Sequence, residues 1–301
     1  MRINPNDSPS DADSRSARAH RPATGGLVLL TALAVLAAST ALSTARADNL
    51  FMSGHGDLGI AYEDGAWDLH VHVEGAVVNG VWVDDEEYEA DEIVILVPNS
   101  SAESRIANVP GVLNYDPIGV AAGVTFWKLE QTQGAAAADN APFLGIATEE
   151  IDGGDFVGPI TLTLLGVSSP SGNGHFSVYQ NAVPGPDFFF STFDPSATVN
   201  GNNTLVLAAG VHDHFNYGFT EPGLWEVTFE ASGILNDGLG TFTSGVGTYT
   251  FMVIPEPSSV VLAGMALVGL IPLARRAGRR TQVPCSRSRG YCTVPRGAAD
   301  A

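Results

Sequence analysis

Gly223-Leu224-Trp225-Glu226-Val227-Thr228-Phe229-Glu230-Ala231-Ser232, answered by Thr248-Tyr249-Thr250-Phe251-Met252-Val253, is the stretch that decides the fold. Leu224, Glu226, Thr228 and Glu230 alternate with Trp225, Val227 and Phe229. A period of two belongs to a strand, whose successive side chains leave opposite faces. Asn236-Asp237-Gly238 supplies turn chemistry between the two runs, so the second can return antiparallel to the first. The spacing predicts strands over Gly223 to Ser232 and Gly245 to Val253.

Outward from this pair, runs of strand length recur toward the N-terminus. They cover Gly56 to Tyr62, Trp67 to Glu74, Ala76 to Trp82, Glu92 to Pro98, Gly123 to Leu129 and Phe143 to Ala147. Ile160 to Val167, Phe176 to Gln180, Phe188 to Phe193, Thr204 to Ala208 and Phe215 to Phe219 continue the pattern. Turn signals such as Glu63-Asp64-Gly65, Asn79-Gly80 and Asn200-Gly201-Asn202 lie between them. No helical period stands out between the two apolar ends of the chain. The expectation is an all-β chain: a single β-sandwich, Ig-like or jelly-roll-like, over 48–254.

Both ends read as addresses. Arg15, Arg18 and Arg21, the apolar run Leu27 to Ala38 and the small-residue site Ala45-Arg46-Ala47 make 1–47 a signal peptide with a long leader. At the other end, Pro255-Glu256-Pro257 precedes an apolar run from Val260 to Ala274 and then Arg275, Arg276, Arg279 and Arg280. Segment 255–280 resembles the PEP-CTERM sorting signal, which an exosortase processes. Arginines after an apolar helix stay on the cytoplasmic side. Two helices are thus expected to flank the sandwich, an N-terminal signal helix and a C-terminal hydrophobic anchor helix. The Sec translocon, an exosortase and the membrane are the partners implied, and the protein is expected to pass from the inner membrane to the cell surface or the extracellular space. A permanent anchor is the simpler alternative. The basic tail 281–301 holds both cysteines, Cys285 and Cys292, so 48–254 has no disulfide.

Between Asp48 and Ile254, two basic residues, Arg105 and Lys128, stand against twenty-eight acidic ones. Such a domain repels phosphate backbones, which excludes nucleic-acid binding, and it disfavours anionic membrane surfaces. It attracts cations, although solubility alone also accounts for acidity. The densest run, Asp84 to Glu92, lacks the glycine and spacing of an EF-hand loop and is expected to be a solvated loop or hairpin end.

Histidine carries the chemistry. His55 lies in Gly-His-Gly-Asp, His70 and His72 in Leu-His-Val-His, and His212 and His214 in Val-His-Asp-His. On a strand, residues two apart share a face, so each pair presents two imidazoles together. Zn2+ takes three or four such donors at about 2 Å. Two pairs on neighbouring strands, or one pair with His55 and Asp57, would complete a shell. His55, His70, His72, His212 and His214 are the candidate ligands, and His175 reads as a loop-edge residue. The alternative is that the imidazoles only bridge strands by hydrogen bonds. Catalysis finds no support: there is no Gly-x-Ser-x-Gly elbow, no phosphate loop and no cysteine in 48–254, and Glu149 and Glu150, adjacent on a strand, would face apart.

Four segments taken in order resemble the choice-of-anchor M domain: GHGDLGIAYEDG (54–65), WKLEQTQ (127–133), LGIATEEI (144–151) and GVHDHFNYGF (210–219). The resemblance spans nearly all of 48–254 and implies a bacterial surface domain carried on varied anchors. It also implies an association with metal-type ABC transporters. The family's His-x-His-x-Asn-aromatic motif falls on His212, His214, Asn216 and Tyr217, with Tyr217 where many relatives have Trp. Two functions follow as expectations. One is an exported metal-binding module serving a transporter. The other is a structural or adhesive matrix component, in contact with exopolysaccharide, that has no metal site.

Overall fold

Asn79 and Gly80 take φ of 54° and 75°, the left-handed pair that closes a tight hairpin. The computed structural model describes residues 49–255, so the signal segment, the sorting segment beyond Pro255 and the basic tail lie outside the described residues. The strands are β1 (Asn49–Glu63), β2 (Ala66–Val78), β3 (Val81–Glu89), β4 (Ile93–Val97) and β5 (Ala102–Ser104). Next come β6 (Thr125–Leu129), β7 (Pro142–Ala147), β8 (Ile160–Ser168), β9 (Phe176–Gln180) and β10 (Asp187–Ser191). β11 (Thr204–Leu207), β12 (His212–His214), β13 (Asn216–Phe219), β14 (Gly223–Ile234) and β15 (Phe242–Val253) complete the set.

One sheet runs β11-β8-β14-β15-β4-β1-β2-β3, with β7 branching from β1 and β12 pairing with β7; the other runs β10-β9-β13-β6-β5. The fold is all-β, and the inner faces of the two sheets share a core. Trp225, Val227, Phe229 and Phe251 are fully buried, as the alternation in β14 requires. Phe219 of the second sheet meets Trp225 at 5.5 Å and Phe251 at 5.1 Å between ring centroids. Each such side chain stabilises the fold by about 1.5–3 kcal/mol through burial.

The fork at β1 positions the site. Asn49 to Phe51 pair in parallel with β4, and Gly54 to Gly59 pair in parallel with β7. β2 runs antiparallel to β1 along its length, with register shifts between Phe51 and Ser53 and between Gly54 and His55.

Three expectations need correction. Asp84 to Glu89 are not a loop or hairpin end; they belong to β3, an edge strand antiparallel to β2. Five carboxylates hid its period of two, and charge on an edge strand is a device against edge-to-edge pairing. The expected strand Ala76 to Trp82 is broken by the Asn79-Gly80 turn. A helix also exists where none was expected: α1, Gln133–Asp139, ends on Asn140 in the left-handed conformation. Four consecutive alanines favour helix, but seven residues are too few to display an apolar stripe. Among the described residues no helix is long and apolar enough to cross a membrane.

Candidate metal centre

The register puts all five candidate histidines on one face. His55, Asp57 and Gly59 of β1 pair with Glu74, His72 and His70 of β2. On the other side they pair with Phe143, Gly145 and Ala147 of β7, and Gly145 and Ala147 pair with His214 and His212 of β12. Directly paired residues share a face. The opposite face carries Leu58, Ile60, Val71, Val73, Leu144 and Ile146, all buried in the core. Apolar alternation thus turns the histidines outward.

Two glycines form the floor. A Cβ on Gly145 would lie 2.0 Å from Asp57 Oδ1, and one on Gly59 would lie 2.2 Å from His70 Nε2. Both side chains therefore lie flat across the neighbouring strand, which no larger residue would permit. From the core side, the Tyr217 hydroxyl donates to the Gly145 carbonyl at 3.0 Å, and the Tyr249 hydroxyl donates to that of Gly59 at 3.4 Å. Asn216 is buried; its Oδ1 accepts from the Gln131 amide at 3.1 Å and its Nδ2 donates to the Tyr179 carbonyl at 3.2 Å. Tyr217 thus supports the site from below, while Asn216 ties β13 to Gln131 and β9.

His55, His212 and His214 converge, each offering a ring nitrogen within 4.8 Å of the others. His55 Nε2 and His214 Nε2 are 3.3 Å apart, and Asp57 Oδ2 is 3.6 Å from His55 Nε2. Donors on a tetrahedral Zn2+ with bonds of about 2.05 Å stand about 3.3 Å from one another. In the metal-free protein a proton between the two rings serves the same spacing. Glu149 Oε1 lies 2.6 Å from His212 Nδ1, and Glu74 Oε2 lies 3.8 Å from His55 Nδ1. The Glu149 carboxylate, within hydrogen-bond range, fixes the His212 tautomer and leaves Nε2 as donor; Glu74 is too far from His55 to do the same. His214 is held by stacking on Phe143, with centroids 3.6 Å apart and planes 9° apart. The three rings line a cleft of about 880 Å³ whose other walls include Trp82, Gln133 and Ala137.

Electrostatics suit ligation. Burial, aided by His55 and His212, pushes His214 down to about 4, so its ring is neutral at pH 7. Burial raises Asp57, while His55 and His212 pull it back. Its carboxylate is buried, and Oδ1 has no hydrogen-bond partner. The hydrogen bond that His212 Nδ1 donates to the Glu149 carboxylate raises His212. The donor set of three imidazoles and one carboxylate fits Zn2+.

His70 and His72 do not join this cluster. Three strand spacings separate β2 from β12, roughly 14 Å, too far for one ion, so the two His-x-His pairs do not share a site. β1 and β7 intervene because of the fork, which local sequence does not announce. His72 Nε2 instead meets Asp85 Oδ1 at 2.7 Å; burial opposes its charge, but Asp85 wins and raises it. His70 is buried, with Nε2 3.1 Å from Glu150 Oε1. His175 packs edge-on against Phe193 at 5.1 Å. Glu149 and Glu150 sit in a turn after β7 rather than on a strand and serve two different histidines. Their contiguity with Leu-Gly-Ile-Ala was the only available signal of that role. No family model matches the chain, and neither does any curated protein or solved structure.

Proposed function

We propose that this protein binds a divalent metal ion, Zn2+ first of all, through His55, His212 and His214 with Asp57 beside them, at the surface of the cell that exports it. One observation carries the reading: two Nε2 atoms from strands distant in sequence stand 3.3 Å apart, a tetrahedral edge, with a third imidazole nitrogen within 4.8 Å of both. The buried, unpartnered Asp57 oxygen and the Glu149 carboxylate behind His212 support it. The domain excess of acidic residues would draw cations toward the cleft.

Export and anchoring rest on the terminal sequences: a signal peptide, and a segment that resembles a PEP-CTERM signal read by an exosortase. We take the two sheets as a β-sandwich of the choice-of-anchor M kind, Ig-like or jelly-roll-like in wiring, and a metal ABC transporter as the natural recipient of the ion.

The test is calorimetric titration of the purified protein with Zn2+. A stoichiometric site that the double change His212→Ala, His214→Ala removes is the expected result. Equal uptake by wild type and double variant would sink the proposal. A second reading, a structural or adhesive matrix component, is favoured by the hydrogen bond through which His72 bridges to Asp85 of the next strand, at 2.7 Å, without a role at the centre. It predicts no uptake above the acidic background.

A further inference from the structure

We propose that the same face carries a second and separate cation seat, formed by His70, Glu87 and Glu150. Ligand atoms of these three residues lie within 4.8 Å of one another. The seat stands apart from the His55, His212 and His214 centre and does not depend on it.

His70 makes this more than a group of surface acids. Its ring is 2 % exposed, yet it sits on the outward face of β2. It is buried because it lies flat over Gly59, so that Nε2 points along the sheet at the Glu150 carboxylate. Nδ1 has no hydrogen-bond partner, and Asp68 Oδ2 stands 3.7 Å from it. A ring nitrogen buried without a partner is costly, and the other nitrogen already faces the Glu150 carboxylate. Glu87 arrives from β3, where it pairs with His72 and is diagonal to His70. Glu150 arrives from the turn after β7. A β2–β3 hairpin and a turn about 60 residues further on thus bring one imidazole and two carboxylates together, open to solvent through exposed Glu87 and Glu150.

The donor chemistry selects the ion. One nitrogen with two carboxylates is harder than three imidazoles and suits Mn2+ or Zn2+; Ca2+, which takes six to eight oxygens, fits poorly. Two carboxylates also neutralise a divalent charge, which offsets the cost of drying it against a buried ring.

Uptake of Zn2+ and, separately, of Mn2+ by the full protein tests the seat, with Mn2+ followed by the loss of its free-ion paramagnetic signal. Wild type should take two equivalents of Zn2+. Glu87→Gln with Glu150→Gln, both at exposed positions, should take one and should lose at least tenfold in Mn2+ affinity. His212→Ala with His214→Ala should also take one and should leave Mn2+ affinity within about twofold of wild type. Near-ultraviolet circular dichroism establishes that each variant is folded. A single equivalent in wild type that survives the Glu87 and Glu150 changes overturns the second seat and leaves the first standing. A single equivalent that those changes abolish, and the His212 and His214 changes do not, has the opposite meaning. No stoichiometric uptake overturns both.

Discussion

At the scale of single residues, Gly145 makes the sharpest demand. Replacing it with Ala sets a methyl group 2.0 Å from Asp57 Oδ1 and 3.0 Å from the Asp213 carbonyl oxygen. Asp57 has little room to yield, being buried between β2 and β7. Gly145→Ala is expected to cost about 1–3 kcal/mol of stability, as overpacking does, and to weaken Zn2+ binding at least tenfold; denaturant unfolding and calorimetry measure the two. His214 makes a prediction in pH. Its folded value is about 4, against the ordinary 6.5, because burial and the neighbouring His55 and His212 disfavour the imidazolium. As pH falls from 6.5 toward 4, the unfolded chain takes up a proton that the fold refuses. The contribution of this residue is therefore present above 6.5 and is lost through that window. Allowing for its partial exposure, the loss is roughly 1–2 kcal/mol. His212, raised by Glu149, has the opposite sense: its contribution is full below the ordinary value and fades as pH climbs through the folded one. Urea unfolding of chelator-treated protein at pH 7, 6 and 5 should show the acid loss, and His214→Gln should flatten it. An equal slope in that variant would assign the loss elsewhere.

At the scale of elements, legibility followed locality. β14 and β15 were plain because their alternation, aromatic content and turn lie within one stretch, and Trp225 and Phe251 are buried as that alternation requires. β9 was read to the residue, Phe176–Gln180. β3 was not, since Asp84, Asp85, Glu86, Glu87 and Glu89 mask the pleat that Val83 and Tyr88 report. The same masking defines its role. β3 ends its sheet, so its outer backbone groups are unpaired, and a row of carboxylates keeps a second chain from adding to them. Asp84→Asn with Glu86→Gln and Glu89→Gln changes no proposed ligand, although Asp84 lines the cleft of the first centre. This triple change should produce concentration-dependent self-association in sedimentation velocity at neutral pH beyond any that wild type shows. Identical sedimentation would show that the charges serve something other than the edge. The candidate site was half legible for a related reason. A His-x-His repeat fixes a face by itself, which the structure bears out for both pairs. Which pair meets which partner depends on the parallel β1–β7 pairing and on β12, contacts between segments about 90 and 160 residues apart that no local pattern encodes. Glu149 and Glu150 stayed unassigned until that pairing was known.

At the scale of the whole molecule, charge and site bear on each other. Both basic side chains among the described residues are already paired, Arg105 with Asp116, and Lys128 with Glu103 and Glu130 at 3.0 Å each. Apart from those beside a histidine, such as Asp85 and Glu149, the remaining carboxylates have only solvent cations to balance them, so two kinds of stabilisation by cations have to be told apart. Diffuse screening acts on the whole acidic surface, grows with ionic strength and ignores the histidines. A bound ion acts by mass action, about 2.7 kcal/mol at a hundred times its Kd, or roughly 5–10 °C in melting temperature for a domain of this size. Sodium chloride should therefore raise the melting temperature of wild type and of His212→Ala, His214→Ala alike. Micromolar Zn2+ at fixed ionic strength should raise that of wild type well beyond that of the double variant, and a chelator should reverse the difference. The contrast is internal to one pair of proteins with nearly the same net charge, so a matching Zn2+ response in both could come only from the acidic surface. In that event the converging imidazoles would be strand bridges, and the domain would be held by its core and its screened charges alone.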